Sequence, residues 1–413
     1  MQEIPKVAII GGGASGIFCA ICLLSFGIPV VLFEKNKILG KKLLATGNGR
    51  CNIHNQHTNA KHYQSSSFST QDIQSILEKF SFQAFCKFCQ KLGIALEIQE
   101  DGRVYPLSNS AKSVLEVFTN FLIESQNFAM RLESEILELQ PTQEGFLLKD
   151  TQGEAVYPYV VLACGSEAAP KLGGSDKGLK LAQGLGLEIL QTYPSLVPLN
   201  MESKWLSSLS GVKITAKLTL KKENQALKTL LGDVLFTNYG ISGFGVLDIS
   251  SFMQLMPNLK IILDFLPNLG EKALENQLVS LVKSYLNRNL ASLLSGFLHP
   301  KIAKAFAQNF PCNPKNTKQL KQLVFQLKNF EIHNPSLKGY EFAEVSGGGV
   351  SGKEINPKTM ESKKHKNLYL VGEVLDIVGN RGGYNLAFAF SSAWVCAEAI
   401  RAKSCSKKEQ RRF

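Results

Sequence analysis

The chain of 413 residues carries 46 Lys+Arg against 34 Asp+Glu, a formal net charge of +12. Hydrophobic residues make up 44% and charged residues 19%, which excludes a disordered, collagen-like or coiled-coil protein. The length accommodates roughly two or three domains. The nine cysteines are scattered and odd in number, which argues against a disulfide-stapled secreted protein and makes the reducing cytoplasm the expected compartment.

The stretch from Val7 to Phe33 contains no charged side chain and is long enough for a membrane span. Three consecutive glycines, Gly11 to Gly13, argue against one continuous helix. Lys6 to Ile10 and Pro29 to Phe33 are typical of buried strands in a parallel sheet, with a helix over Ala14 to Phe26 between them. The sequence therefore predicts a soluble βαβ unit and no membrane span.

The turn between this first strand and its helix carries a dinucleotide-binding fingerprint. Gly11, Gly13 and Gly16 fit the pattern G-x-G-x-x-G, which allows a tight turn and lets the helix N-terminus approach a pyrophosphate. Glu34 lies 18 positions after Gly16, at the end of the second strand, where a carboxylate accepts hydrogen bonds from an adenosine ribose. An acid there disfavours a nucleotide with a 2′-phosphate but does not separate FAD from NAD.

A second turn near the other end of the chain favours FAD. Asn367 to Val371 predicts an apolar strand that leads into Glu373, and Gly382 to Asn385 precede a helical pattern over Leu386 to Ala402. FAD is long, so its ribityl chain and isoalloxazine need contacts remote from the first turn. An acid can hold the ribityl hydroxyls, and a helix N-terminus can face the flavin's pyrimidine carbonyl. The alternative is one more strand–helix turn whose glycines serve geometry alone.

The loop Gly40 to Asn52 follows the ribose acid and is rich in Gly, Asn and Thr, as suits a chain that lies against a ligand. Arg50 in this loop is able to reach a phosphate. The alternative is an ordinary glycine-rich loop with a solvated arginine.

Two groups of cysteines or histidines are of the kind that binds metals or carries out redox chemistry, but neither group is expected to do so. Cys86 and Cys89 form a C-x-x-C in the middle of a helix predicted over residues 70–100, whereas a redox pair opens its helix, so core cysteines are expected. His54, His57 and His62 lie in a polar stretch without further ligands at zinc spacing. That stretch is predicted to be a solvated loop, and no metal site is expected.

Further elements follow from the pattern of apolar residues. Val156 to Ala163, Lys213 to Leu220 and Leu259 to Phe265 are predicted strands. Asn268 to Lys328 is predicted to be mostly helical, and the charged terminus Lys403 to Phe413 is expected to fray.

Several blocks of the sequence resemble the YhiN/BaiN-like flavoproteins, within the two-dinucleotide-binding-domain flavoproteins, over nearly the full chain. The blocks are GGGASG, EKN…GKKLLATGNGRCN, DGRVYP, SLVPL, GGGV…TMESK and GEVLDIVGNRGGYNLAFA. The resemblance implies an α/β fold, in which a Rossmann-type FAD-binding domain is interrupted by an insert with a β-barrel-like part and a small helical part. The corresponding segments are 1–193 and 346–413 for the FAD-binding domain, 194–267 and 329–345 for the β-rich insert, and 268–328 for the helical subdomain.

The resemblance also places residues around a non-covalently bound FAD. They are Gly11, Gly13, Ala14, Ser15 and Gly16 at the pyrophosphate; Glu34 and Lys35 at the ribose; Lys42, Arg50, Cys51 and Asn52 in the loop beside the pyrophosphate and flavin; Ile136 at the adenine; Gly165 at a strand turn on the cofactor side; and Glu373, Gly383, Tyr384, Asn385 and Leu386 at the ribityl and isoalloxazine. Relatives often carry Thr-His-x-Gly-x-Ser-Gly-Pro where this chain has Thr237 to Phe244 without the histidine, which weakens any transfer of a histidine role to the insert.

The expected protein is a cytoplasmic FAD-dependent oxidoreductase that passes hydride between a small organic substrate and bound flavin. The resemblance covers a dehydro-bile-acid reductase and an aminoacetone oxidase, so reductase and oxidase both stay open. NAD(P)H is a candidate donor that would bind only transiently, because no second complete G-x-G-x-x-G unit is present. The alternatives are a flavoprotein acting on tRNA and a flavin-binding sensor without turnover. The dispersed basic residues weigh against nucleic acid. Tyr105, Tyr239 and Tyr384 are candidate proton donors by motif position alone, and the catalytic residues and the oligomeric state are not assigned.

Overall fold

The computed structural model describes residues 6–201, 203–253, 256–285 and 287–409. The chain divides into two compact units. Unit 1 combines Met1–Tyr193 with Val345–Phe413, and unit 2 is Pro194–Glu344. Among the described residues, no helix has both the length and the apolar composition that crossing a membrane requires.

Strands and helices are numbered here in chain order. The strands are β1 (Val7–Ile10), β2 (Val30–Phe33), β3 (His54–Asn55), β4 (Tyr63–Gln64), β5 (Leu96–Ile98), β6 (Arg103–Pro106), β7 (Phe128–Arg131), β8 (Ile136–Pro141), β9 (Phe146–Asp150), β10 (Glu154–Tyr157), β11 (Tyr159–Leu162), β12 (Ile189–Ser195), β13 (Leu199–Asn200), β14 (Lys213–Lys222), β15 (Gln225–Phe236), β16 (Gly240–Ser242), β17 (Leu259–Asp264), β18 (Phe330–His333), β19 (Ser336–Leu337), β20 (Val345–Val350), β21 (Ile355–Asn356), β22 (Glu361–Ser362), β23 (Leu368–Leu370) and β24 (Val378–Gly379). The helices are α1 (Ala14–Ser25), α2 (Lys41–Ala45), α3 (Thr70–Lys79), α4 (Phe82–Lys91), α5 (Ala111–Glu124), α6 (Lys177–Gly184), α7 (Lys204–Ser207), α8 (Phe244–Ser250), α9 (Glu271–Ser284), α10 (Leu290–Leu294), α11 (Pro300–Asn309), α12 (Thr317–Lys328) and α13 (Tyr384–Glu409).

Unit 1 is built on a sheet with the strand order β21-β22-β23-β11-β1-β2-β7. Strand β1 pairs in parallel with β2 and with β11, and β2 and β11 pair in parallel with β7 and β23. Every residue of β1, β2 and β11 is buried, as expected for parallel strands covered on both faces. The βαβ unit predicted at the N-terminus is confirmed as β1, α1 and β2.

Unit 2 is built on an antiparallel sheet with the order β18-β17-β14-β15-β16-β13-β19. Its strands and helices share one hydrophobic core, in which Phe236 of β15 and Phe265 lie near Phe306 of α11 and Phe330 of β18. The apolar faces of α9 to α12 therefore pack in the same core as the sheet.

Three predicted elements differ from the structure. The helix predicted over residues 70–100 is divided into α3 and α4, because Ser81 caps a new helix, and it ends at Lys91 before strand β5. The predicted strand over residues 156–163 is divided at Pro158, which has no N–H to donate to a sheet. The terminus is helical as far as Glu409, where fraying was expected from Lys403 onward, and residues 410–413 lie outside the described residues.

Candidate cofactor-binding site

The turn from β1 to α1 is shaped by glycines that leave one face open. Gly11 has a φ of +110°, and a Cβ on Gly16 would lie 1.9 Å from the carbonyl oxygen of Gly11. A Cβ on Gly13 would meet nothing in the described structure within 4 Å. Helix α1 starts after Gly13 with no side-chain cap and no acidic residue in its first turn, which includes Ala14 and Ser15. An anion therefore has access to the free N–H groups of α1.

Glu34 stands at the end of β2 beside this turn. One carboxylate oxygen, Oε2, accepts a hydrogen bond from the N–H of Gly12 at 2.8 Å, and Oε1 accepts from the N–H of Asn36 at 2.8 Å. The Ser134 N–H donates to the Glu34 carbonyl at 3.0 Å, which brings Ile136 at the start of β8 close to Glu34. Hydrogen bonds from backbone N–H groups stabilise this carboxylate, which is only 8% exposed.

Glu373 joins four segments that are distant in the sequence. The Lys42 Nζ donates to Glu373 Oε2 at 2.6 Å, and the Ser166 hydroxyl and Ser346 N–H donate to Oε1 at 2.6 and 3.1 Å. Gly165, just before Ser166, has a φ of +70°, and a Cβ there would meet nothing in the described structure within 4 Å. Lys42 and Glu373 were singled out from the sequence as cofactor residues, whereas Ser166 and Ser346 were not, since single serines carry no recognisable pattern.

The turn before α13 is formed against the loop that follows residue 51. Gly383 has a φ of +96°, and a Cβ on it would lie 2.2 Å from the His54 carbonyl oxygen. With its amide turned to satisfy both ends, Asn52 accepts from the Gly383 N–H at 3.3 Å and donates to the His54 carbonyl at 3.2 Å. Asn385 closes the turn by bonding both the N–H and the carbonyl of Gly379 at 2.8 Å.

Two more side chains from this loop, neither predicted, fix the same turn. Asn55 Nδ2 donates to the Gly382 carbonyl at 2.8 Å, and the Tyr63 hydroxyl donates to the Tyr384 carbonyl at 2.8 Å. Asn55 and Tyr63 are buried. The structure thus brings the GNGRCN segment and the GGYN segment together, which supports a shared role at one site.

His54 corrects one prediction made from the sequence. The stretch containing it was expected to be a solvated loop, but His54 is 1% exposed, and its ring centroid lies 4.4 Å from that of Phe85. Burial lowers the pKa of His54 to about 4, so the ring is neutral at pH 7. His57 is exposed, while His62 stacks on Tyr384 at 4.5 Å between ring centroids. Among the described residues, no cluster of three or more His, Cys, Asp or Glu could hold a metal ion.

The cysteines near this site are buried or partly buried thiols. Burial raises the pKa of Cys51 to about 11 and that of Cys164 to about 12, so both stay protonated at neutral pH. Cys89 on α4 is buried and Cys86 is partly exposed, and burial raises the pKa of both. These thiols lack the low pKa of a reactive cysteine.

Three of the predicted residues form no side-chain hydrogen bond, within the described structure, to the polar groups above. Arg50 is exposed, with its guanidinium carbon 5.0 Å from the ring centroid of Tyr105 and its Nε donating to the Gly47 carbonyl at 3.3 Å. Lys35 and Leu386 are partly buried. Nothing in their hydrogen bonding among the described residues singles them out.

Two further side chains in unit 1, Asp376 and Tyr193, were missed by sequence reasoning. Asp376 is 3% exposed, and its Oδ2 accepts hydrogen bonds from the three hydroxyls of Ser65–Ser67 and from one N–H, at 2.8 to 3.1 Å. Tyr193 packs on Gly347, where a Cβ would lie 2.3 Å from the tyrosine hydroxyl. Burial and then the charge of Asp376 raise the pKa of Tyr193, which keeps its proton at neutral pH. The run of three serines was the signal available in the sequence.

These contacts establish a polar site at the carboxyl ends of parallel strands, the usual ligand position in such sheets. The family model described as the HI0933-like protein Rossmann domain matches residues 5–399. The chain belongs to the HI0933-like family. The family resemblance and the α/β fold class expected from the sequence are confirmed.

Curated relatives extend over almost the whole of this HI0933-like chain. The ribosomal RNA dihydrouridine synthase of Escherichia coli (strain K12) is 33% identical over 406 residues, covering 96% of this chain and 98% of that protein. The 3-dehydro-bile acid delta(4,6)-reductase of Clostridium scindens is 30% identical over 406 residues, covering 95% and 98%. This chain is similar to both at comparable identity.

Solved structures with the same fold are more distant in sequence. The FrdA subunit of Escherichia coli quinol fumarate reductase aligns with 98% of this chain and 72% of its own, with a TM-score of 0.51 and 14% identity. The 3-ketosteroid delta1-dehydrogenase of Sterolibacterium denitrificans aligns with 97% of this chain and 100% of its own, with a TM-score of 0.51 and 10% identity. At these identities the likeness concerns the fold alone.

Proposed function

We propose that this protein is an FAD-dependent oxidoreductase that reduces a carbon–carbon double bond conjugated to a carbonyl group. The observation that carries the proposal is the pair of turns in unit 1. One has an open helix N-terminus beside Glu34, and the other, Gly382 to Asn385, lies in the unit that also contains the Lys42–Glu373 pair. A long nucleotide with a second functional end uses both turns, whereas a mononucleotide uses one.

The residues present fit FAD. The open face over Gly13 and the uncapped start of α1 suit a pyrophosphate, and Glu34 suits the ribose. Glu373 with Lys42, and the N-terminus of α13 after Gly383, are the groups that would hold the ribityl and isoalloxazine end. When bound, FAD supplies the hydride-transfer chemistry.

The kind of bond is inferred from what the two relatives have in common. A dihydrouridine synthase reduces the uracil double bond that is conjugated to a ring carbonyl, and the bile-acid reductase is named for double bonds conjugated to a 3-oxo group. The two substrates differ in size and polarity but share a conjugated carbonyl. Reduction adds hydride to the far carbon of the double bond and a proton to the carbon next to the carbonyl. The protein must therefore supply a proton donor.

We assign the proton donor to the hydroxyl of Tyr193. The hydroxyl keeps its proton at neutral pH, and it lies over Gly347, the neighbour of Ser346, which bonds Glu373. Asp376 accepts hydrogen bonds from the serine segment, and its charge raises the pKa of Tyr193 after the larger effect of burial. Of the tyrosines chosen from the sequence, Tyr384 is enclosed by the rings of His62 and Tyr63.

A uridine in ribosomal RNA is the second candidate substrate, and the charge of unit 2 favours it. Unit 2 carries 17 Lys+Arg against 10 Asp+Glu, so +7 of the net charge of +12 lies there. Unit 2 also exposes aromatic rings next to cations, such as Tyr285 at 3.7 Å from the Arg288 guanidinium. Basic groups next to exposed aromatic rings are typical of single-stranded RNA-binding surfaces.

The cofactor part of the proposal is tested first. The purified protein should show a flavin absorption spectrum, with FAD released intact on denaturation. Anaerobic addition of NADH or NADPH should then bleach the flavin band. Protein that folds without flavin overturns the proposal, and a flavin that neither nucleotide bleaches excludes NAD(P)H as the donor.

The substrate part uses two arms with the same reduced protein. One arm supplies a 3-oxo steroid acid with conjugated double bonds, and the other supplies unmodified ribosomal RNA. Mass spectrometry should detect the gain of two hydrogens in one of the two. Tyr193→Phe should slow this step more than it slows bleaching by the nicotinamide nucleotide, whereas equal slowing of both would remove Tyr193 from the proton-donor role.

A further inference from the structure

Lys338 in unit 2 lies at the end of a short three-stranded arrangement. Strand β13 pairs with β16 on one side and with β19 on the other. The Lys338 N–H, just after β19, donates to the Pro198 carbonyl at 2.9 Å, and the Tyr239 carbonyl, just before β16, accepts from the Met201 N–H at 3.0 Å. Backbone hydrogen bonds thus fix both Lys338 and Tyr239 to the ends of β13.

The side chain of Lys338 lies between two aromatic rings. Its Nζ is 3.1 Å from the ring centroid of Tyr239 and 3.8 Å from that of Phe342. Tyr239 belongs to the segment Thr237 to Phe244, and the sequence analysis considered it only as a candidate proton donor by motif position. Phe342 is 48% exposed, so this group of side chains reaches the surface.

Lys338 is held by two aromatic rings, whereas several other lysines of unit 2 are paired with carboxylates. Lys213, Lys260 and Lys328 each lie within 2.7 to 3.0 Å of a carboxylate oxygen. For Lys338, the described part of the chain provides no carboxylate within 4.0 Å and no hydrogen-bond acceptor for Nζ. Aromatic faces attract an ammonium group, but they are weak hydrogen-bond acceptors and leave its N–H donors largely unused. Its donors therefore stay available to a ligand, and partial desolvation lowers the pKa of Lys338.

We infer that Lys338, Tyr239 and Phe342 form an oxyanion clamp that binds a phosphate group. The rings hold the ammonium in place before the ligand arrives, which reduces the entropy lost on binding. A phosphate group fits because its several oxygens accept hydrogen bonds from the ammonium. It is negatively charged, both as the free ion and in an RNA backbone, and unit 2 has a net charge of +7. The phosphate is free or part of an RNA backbone. This inference goes beyond the proposed function and requires neither bound flavin nor turnover.

The test measures binding of a short, fluorescein-labelled single-stranded RNA to the full-length protein, as purified, by fluorescence anisotropy at several salt concentrations. Lys338→Met keeps the hydrocarbon stem and removes the charge, and Lys338→Arg keeps the charge. Lys283→Met, on the exposed side of α9, is the control because it makes the same change in net charge. We expect Lys338→Met to weaken binding roughly three- to tenfold at low salt and to reduce the salt slope by about one. Lys338→Arg should keep most of the affinity, and Lys283→Met should change it less than about twofold.

Competition by inorganic phosphate distinguishes a site for free phosphate from a site for the RNA backbone. If millimolar phosphate displaces RNA from the wild type but not from Lys338→Met, the clamp takes free phosphate; if phosphate does not compete, it takes the RNA backbone. Equal loss in Lys338→Met and Lys283→Met overturns the inference, and so does a wild type that binds neither RNA nor phosphate. A lower melting temperature of Lys338→Met without a change in binding also overturns it, because the contact between Lys338 and the rings would then only stabilise the fold. Failure of the redox proposal is seen separately, as an absent flavin spectrum of the wild type.

Discussion

The two glycine turns of unit 1 offer the same feature, a helix N-terminus, but are held in different ways. The turn Gly11 to Gly16 is enclosed by backbone, with Gly16 against the Gly11 carbonyl and Gly11 against the Ala163 carbonyl, and Glu34 bonds the Gly12 N–H. The turn Gly382 to Asn385 is held by side chains more than 300 positions away, through Asn55 and Tyr63. Backbone packing determines the first turn, whereas the second depends on side chains of the loop after β2 being in place. The order in which a substitution damages the site should follow this difference.

The largest effect is expected at the first turn. Gly16→Val places a Cβ 1.9 Å from the Gly11 carbonyl oxygen, which neither the strand nor the helix can relieve. We expect little soluble protein and no bound flavin, measured by yield and by absorption. Gly13→Ala is the matched control, because Gly13 has a φ of −83° and open space around it. This variant should fold normally and bind FAD at least about tenfold more weakly, since the added methyl group occupies the pyrophosphate face; an unfolded Gly13→Ala would contradict the account.

A second substitution tests the distant turn. Gly383→Ala puts a Cβ 2.2 Å from the His54 carbonyl at a φ of +96°, so we expect FAD to bind roughly 10- to 100-fold more weakly. The protein should still fold, because the parallel sheet does not depend on this contact. Gly382→Ala also has a positive φ, but its nearest neighbour is the Arg103 side chain at 3.4 Å, so it should cost less. Titration with FAD after removal of the cofactor measures both, and equal losses would remove the His54 contact as the cause.

The pH dependence of stability tests the burial of the loop behind the second turn. The pKa of His54 is lowered from 6.5 to about 4 by burial, so the unfolded chain binds the proton more tightly than the folded chain. Stability from this residue is therefore fully present above pH 6.5 and is lost as the pH falls toward 4. Between pH 7.5 and 5 the loss amounts to about 2 kcal/mol. Urea unfolding should show this decline reduced in His54→Leu, and an unchanged decline would mean that His54 is not buried in solution.

The smallest effect concerns one hydroxyl at the second turn. Tyr63→Phe removes the buried hydrogen bond to the Tyr384 carbonyl and should lower the free energy of unfolding by about 1 kcal/mol. Tyr369→Phe is the control, because the buried Tyr369 hydroxyl has no hydrogen-bond partner among the described residues. Its removal should leave stability unchanged or slightly raised. If both variants lost the same stability, the Tyr63 bond would not be what holds this turn.

Sequence reasoning succeeded where the cause lies within one segment. The strand β1, the helix α1 and the strand β2 follow from uncharged apolar runs interrupted by glycines, and β14 and β17 follow from alternation and apolar content. It failed at α3 and α4, since the break at Ser81 is a cap signal that the apolar pattern obscures. His54 was assigned to a solvated loop because its neighbours are polar, while its burial comes from Phe82 and Phe85 on another element.

The sequence by itself determined the glycine turn, the acid at the end of β2 and the parallel unit that presents them, because short-range sterics and hydrophobic periodicity act between near neighbours. Only the tertiary structure decided which polar groups meet. Glu373 bonds Lys42 and Ser346, Asp376 collects its serines, and Lys338 lies between two rings rather than beside a carboxylate. Each of these residue types is also common on solvent-exposed surfaces. What distinguishes them is contact between segments distant in the chain, and composition and spacing do not contain that information.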